Sequence, residues 1–169
     1  MSTRLRSRLF TFALVVVVAC AAATPAVANV DEGRTHQALL HGGGPDEPTK
    51  GERAVQIALK VVGVPYRWGG ESPSSGFDCS GLVRWAYGRV GIELPHSSYA
   101  LYDEGRNVPT SRLQAGDVLF FEGLGHVGLY LGGGRMVHAP QSGRVVEVVR
   151  LGELGYGGRL VGARRVVST

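Results

Sequence analysis

The sequence predicts a single α+β domain, with helices first and a small antiparallel sheet after them. Three observations carry this. Apolar residues recur at helical spacing only between Thr49 and Val90. From Val118 onward, short β-branched and aromatic runs alternate with glycine clusters, as hairpins require. The chain has 169 residues, which allows one core and a tail. A hydrophobic content of 44% against 19% charged residues excludes a disordered chain, and two cysteines exclude a disulfide-dense scaffold.

The first 28 residues read as an export signal. Arg4, Arg6 and Arg8 precede an apolar run from Leu9 to Ala23, and Ala26-Val27-Ala28 supplies a small-residue cleavage site. The run falls short of the roughly 20 residues a helix needs to cross hydrocarbon, so a stable membrane span is not expected. Val17-Val18-Ala19-Cys20 offers an alternative, a lipoprotein-type site that would leave Cys20 lipidated at a membrane surface. The formal charge of +4 suggests nucleic acid until it is located. Three of the 18 basic residues lie in the signal, leaving 15 against 14 acidic ones, and with them goes the electrostatic footprint of a nucleic-acid binder. Cleavage also leaves Cys79 as the one cysteine of an exported, near-neutral and monomeric protein.

Residues 29–50 are polar and aperiodic, contain Gly42-Gly43-Gly44-Pro45, and read as a flexible leader. The domain is assigned to residues 51–169. Its first helix opens on Thr49-Lys50-Gly51-Glu52, a capping box, and presents Val55, Ala58, Leu59 and Val62 before Gly63 and Pro65 stop it. Tyr66 to Phe77 reads as a loop. Asp78 to about Val90 reads as a second helix, with Leu82, Val83, Ala86, Tyr87 and Val90 on its buried face. Residues 91–114 are irregular, with room for a short helical turn. Strands follow at Val118–Phe121, His126–Leu131, Arg135–Ala139, Arg144–Arg150 and Arg159–Val167.

Chemistry concentrates at three residues. Cys79 stands at the predicted start of a helix, where backbone N–H groups and the helix dipole favour a thiolate. A nucleophilic cysteine needs a base within hydrogen-bond reach and a group that orients the base. His126 and His138 flank the Gly132-Gly133-Gly134 turn at similar distances, which makes them approximate cross-strand neighbours in a hairpin. Bland readings stay open here: an inert buried cysteine, hydrogen-bonded structural histidines, or a metal cluster. The last lacks any close ligand pair such as C-x-x-C. Gly123-Leu124-Gly125-His126-Val127-Gly128 matches G-x-G-x-x-G, with Glu147 downstream, but runs into a strand where the dinucleotide fingerprint needs a helix. His96 is the remaining histidine expected near a groove.

Several runs together resemble the signature of the NlpC-type cell-wall cysteine peptidases. They are Pro65-Tyr66-Arg67-Trp68-Gly69-Gly70, Phe77-Asp78-Cys79-Ser80-Gly81-Leu82-Val83, Leu94-Pro95, Leu113-Gln114-Ala115-Gly116-Asp117-Val118-Leu119-Phe120-Phe121, His126-Val127-Gly128-Leu129-Tyr130-Leu131-Gly132 and Val137-His138-Ala139-Pro140. They occur in the family's order across Glu52 to Val166. The resemblance implies a papain-like fold and a triad of Cys79 as nucleophile, His126 as base and His138 as the orienting residue. It implies Tyr66 beside the thiol as an oxyanion donor, and Asp78 and Ser80 as contacts to the substrate. The bottom-up alternative for Asp78 is a helix cap. The activity implied is hydrolysis of peptidoglycan stem peptides, at the bond between D-γ-glutamate and the next diamino acid. It would take place at the bacterial cell wall, without cofactor or metal. A same-fold amidase or acyltransferase and a noncatalytic wall-binding module are the rival readings.

Overall fold

The computed structural model describes residues 47–153 and 159–166. The export signal, most of the leader and the alternative lipidation site at Cys20 lie outside the described residues. No helix among those described is long and apolar enough to cross a membrane.

The first helix, α1 (Lys50–Leu59), opens as its sequence dictates. The Thr49 hydroxyl accepts from the Glu52 amide and the Glu52 carboxylate accepts from the Thr49 amide, closing the capping box. Ala54, Val55 and Ala58 form its buried face. Between α1 and the second helix the chain forms a two-residue ladder, β1 (Glu71–Ser72) against β2 (Gly76–Phe77), inside the segment expected to be loop. Helix α2 (Cys79–Gly88) begins one residue later than predicted because Asp78 is its extended N-cap, and it buries Leu82, Val83, Ala86 and Tyr87. Tyr87 ties the helix to the sheet, its hydroxyl donating to the Gly116 carbonyl at 2.5 Å. The expected short helical turn in the irregular stretch is α3 (Ser98–Leu101).

The remaining strands build one six-stranded sheet in the order β3-β8-β4-β5-β6-β7 with every pair antiparallel. They are β3 (Arg106–Asn107), β4 (Val118–Phe121), β5 (Val127–Gly132), β6 (Arg135–His138), β7 (Glu147–Arg150) and β8 (Leu160–Arg165). Strand β4 is apolar at every position because both sheet faces are covered. Val118 and Phe120 pack with the helices, and Leu119 and Phe121 join Val108, Met136 and Ala163 on the other side. The β5–β6 hairpin turns where glycines were expected to turn it. Gly133 and Gly134 sit at φ of 59° and 69°, the left-handed pair that a two-residue hairpin loop needs.

One strand differs from expectation in a way that shapes the site. Residues 144–146 do not extend β7. They pair instead with the segment after α1: the Tyr66 amide donates to the Arg144 carbonyl at 2.8 Å, and the Val146 amide to the Val64 carbonyl at 2.8 Å. Pro65 and Val145 form an antiparallel bridge between them. This pairing buries Val146 while Val145 stays exposed, and it draws the Tyr66 loop toward the end of the sheet.

Candidate active site

The start of α2 is built around the Asp78 carboxylate. Its Oδ1 accepts from the Gly81 amide at 2.7 Å and the Ser80 hydroxyl at 3.1 Å, and its Oδ2 accepts from the Gly69 amide at 2.9 Å. His96 Nε2 lies 3.0 Å from Oδ1, and His96 Nδ1 faces Glu71, which also pairs with Arg84. Asp78 therefore serves as cap and hub together. The helix start packs against loop backbone so closely that a Cβ on Gly81 would stand 2.1 Å from the Gly70 carbonyl oxygen. The glycine two places after Cys79 is a steric requirement of this approach.

Cys79 is consequently the first residue of α2, half-buried, with its sulfur hydrogen-bonded by backbone groups of Val127 and Ser80. These donors pull the thiol's pKa down, as a helix start should. Burial works against them and wins, with the Asp78 charge adding to it, so the thiol is pushed up. The expected thiolate is thus not the resting form. Burial first, then Cys79 when it ionises and the Asp78 carboxylate, likewise raise Tyr66, whose phenol stays protonated beside the sulfur.

The two imidazoles meet on the sheet. His126 Nε2 lies 2.8 Å from His138 Nδ1, with ring planes at 74°. The β5–β6 register pairs Leu129 with Val137, and its continuation sets Gly128 opposite His138, two residues beyond His126. The rings thus approach along a diagonal of the ladder rather than directly across it. A Cβ on Gly128 would come within 3.3 Å of the His138 Cβ, so that position is kept small. His138 is fully buried. Burial, then the neighbouring His138, then Arg159 hold His126 down to about 3; burial and Arg144 hold His138 down to about 4. At neutral pH both rings are uncharged beside an uncharged thiol.

The structure brings Tyr66, Asp78, Cys79, Ser80, His126 and His138 to one end of the sheet and one helix start. Val127 follows His126 directly and touches the sulfur. The Ser80 hydroxyl is turned inward onto Asp78. Sequence reasoning did not find Glu147, which stands directly across β6–β7 from His138 and puts Oε1 3.5 Å from its Nε2. A register that depends on the eight residues between two strands leaves no local signal. His96, expected near a groove, lies against Asp78 at the start of α2. Among the described residues no group of three or more histidine, cysteine or acidic side chains is placed to hold a metal ion.

A model of the NlpC/P60 family matches residues 63–165, three-fifths of the chain and all of the site except its α1 support. The chain belongs to the NlpC/P60 family. Its relatives include the probable endopeptidase Rv2190c of Mycobacterium tuberculosis, 53% identical over 102 residues that make up 60% of this chain and 26% of that protein. They also include the gamma-D-glutamyl-L-lysine dipeptidyl-peptidase of Bacillus subtilis, 40% identical over 123 residues, 69% of this chain and 41% of that one. Other relatives carry the names of DD- and DL-endopeptidases. A solved NlpC/P60 family protein from Bacillus cereus superposes with a TM-score of 0.67 at 35% identity, covering 72% of this chain and 41% of that chain. The α+β architecture is therefore the papain-like one of NlpC/P60 domains, and the chain spans half or less of the length of each of these proteins.

Proposed function

We propose that this NlpC/P60 chain is an exported cysteine endopeptidase that hydrolyses peptidoglycan stem peptides at the D-γ-glutamyl–diamino acid bond. The observation that carries the reading is the 2.8 Å contact between His126 and His138 beside Cys79 at a helix start. A binding module has no physical need for a nucleophile, a base and an orienting group in that order. The name of the Bacillus subtilis relative supports the choice of bond.

In this reading Nε2 of His126 is committed to His138, so Nδ1 is the nitrogen that takes the Cys79 proton. Because the resting pair is neutral, the proton moves as the sulfur attacks the amide carbonyl. The tetrahedral oxyanion receives hydrogen bonds from backbone N–H at the start of α2 and from the Tyr66 hydroxyl. His126 then protonates the departing amine, and water, deprotonated by the same ring, releases the acyl group from sulfur. The reaction calls on no metal or cofactor. The substrate is uncharged at the reacting amide, which suits a site held neutral by burial.

Purified peptidoglycan digested with the full chain and with its Cys79→Ala variant tests this, with fragments resolved by mass spectrometry. The expected result is new termini at D-γ-glutamate from the parent and none from the variant. Equal release by both sinks the thiol mechanism. Cleavage at the sugar–peptide junction or at a DD cross-link would transfer the site to another bond, and binding without release by either protein would mark a wall-binding module.

A further inference from the structure

We infer that Glu147 is a positioning residue for the proposed reaction: it selects the His138 tautomer that lets His126 act as a base. The inference rests on the assignment of Cys79 as nucleophile and His126 as base. For His126 to accept a proton at Nδ1, its own proton must sit on Nε2 and be donated to His138 Nδ1. His138 must then carry its proton on Nε2. The opposite tautomer would place a proton on His126 Nδ1, where the thiol's proton has to go. An imidazole in the orienting position thus needs an acceptor behind it, which an orienting carboxylate would not.

Glu147 is in that place. It opens β7 directly across from His138, and its Oε1 lies 3.5 Å from His138 Nε2. Arg144 holds the carboxylate, its Nη2 donating to both oxygens at 2.6 and 2.7 Å. The carboxylate also bears on charge. When the proton moves from sulfur to His126, the pair of rings gains one positive charge among Arg144, Arg159, Glu147, Asp78, Tyr66 and the new thiolate. Arg144 and Arg159 oppose that charge; Glu147 is the acid that reaches the rings from β7. At 3.5 Å, Oε1 is close enough for charge on the rings to draw it into a charge-assisted hydrogen bond.

The test reads the thiol and the ring, not turnover. Alkylation of Cys79 by iodoacetamide, followed on its own peptide by mass spectrometry from pH 5 to 9, measures the thiolate–imidazolium population in the full chain. Nitrogen-15 shifts of His138 report its tautomer. In the parent protein His138 is expected to carry its proton on Nε2. Glu147→Gln is expected to slow alkylation at neutral pH by about tenfold, one pKa unit in the thiol's favour, and Glu147→Asp, which keeps the charge, to recover part of that loss. Superimposable alkylation profiles for parent and Glu147→Gln overturn the inference. So does a proton on His138 Nδ1, or an Asp variant no faster than the Gln variant. A parent protein that alkylates as expected but releases nothing from peptidoglycan would sink the proposed function and leave this result standing.

Discussion

His126 and His138 touch through Nε2 and Nδ1 at 2.8 Å, although the ladder between their strands does not set them opposite one another. Gly128, which does face His138, leaves room there: a Cβ would crowd Met136 Sδ, the Val137 carbonyl and the His138 Cβ at 3.0–3.3 Å. The contact makes one ring the reference for the other. His138→Ala is expected to lower kcat by about 10²–10⁴-fold with KM within a few-fold, the loss seen when a base keeps its place but loses the group that sets its tautomer. His138→Gln, whose amide oxygen accepts from the His126 Nε2–H, should retain more activity than the alanine variant. Steady-state kinetics on a synthetic stem peptide measure both, and a kcat for His138→Ala near that of the parent removes His138 from the triad.

Burial of the same two rings ties stability to pH. Both pKa values are depressed in the folded state, to about 3 and about 4, below the ordinary 6.5. The unfolded chain therefore binds more protons than the folded one between pH 6.5 and 3. The stability is fully present above pH 6.5 and is lost as pH falls through that window. Urea unfolding at pH 8 and pH 5 should differ by on the order of 2 kcal/mol per histidine. His138→Gln should remove about half of that difference, and an unchanged pH dependence would show that His138 is not neutral and desolvated in the fold.

The helices, the β5–β6 hairpin and Cys79 at a helix start were legible because each is announced locally. A capping box marks α1, an aspartate and a nucleophile mark α2, and three consecutive glycines mark the hairpin turn. What escaped depends on chain segments that meet from far apart. Residues 144–146 choose the Val64–Tyr66 segment over β7, a competition that neighbouring valines cannot decide. Glu147 reaches His138 only through the β6–β7 register, and β1 and β2 are two residues each, below any periodicity. The charge state of the thiol was misjudged for a related reason. The helix-start donors are local, whereas the burial that outweighs them comes from the sheet packed against the helix.

The glycine two places after the nucleophile offers a stability test with a built-in control. In Gly81→Ala the new Cβ would meet a backbone oxygen at 2.1 Å, which neither helix α2 nor the Gly70 loop relieves by rotating a side chain. The expected cost is about 3 kcal/mol, or a Tm lower by roughly 10–20 °C. Gly88, in the last turn of the same helix, has open space where a Cβ would stand, with nothing within 4 Å. Gly88→Ala should therefore raise stability by about 0.5–1 kcal/mol through helix propensity alone. Differential scanning calorimetry of the pair checks both signs, and equal Tm values would remove the steric account of the motif.

Tyr66 is held beside the sulfur by backbone pairing and by partial packing of its ring against the core. Its amide donates to the Arg144 carbonyl and its backbone bridges Phe77, so the loop's position does not depend on the phenol hydroxyl. Burial raises its pKa, as do Cys79 once ionised and the Asp78 carboxylate, and the hydroxyl is a donor throughout the neutral range. Tyr66→Phe should leave the Tm within about 2 °C, since a half-exposed hydroxyl is removed and no cavity is made. It should lower kcat by about 10–100-fold with little change in KM, the pattern of a hydrogen bond made only to the developing oxyanion. A loss carried by KM with kcat intact would assign the phenol to substrate binding, and no loss in either would leave the oxyanion to the backbone donors of α2.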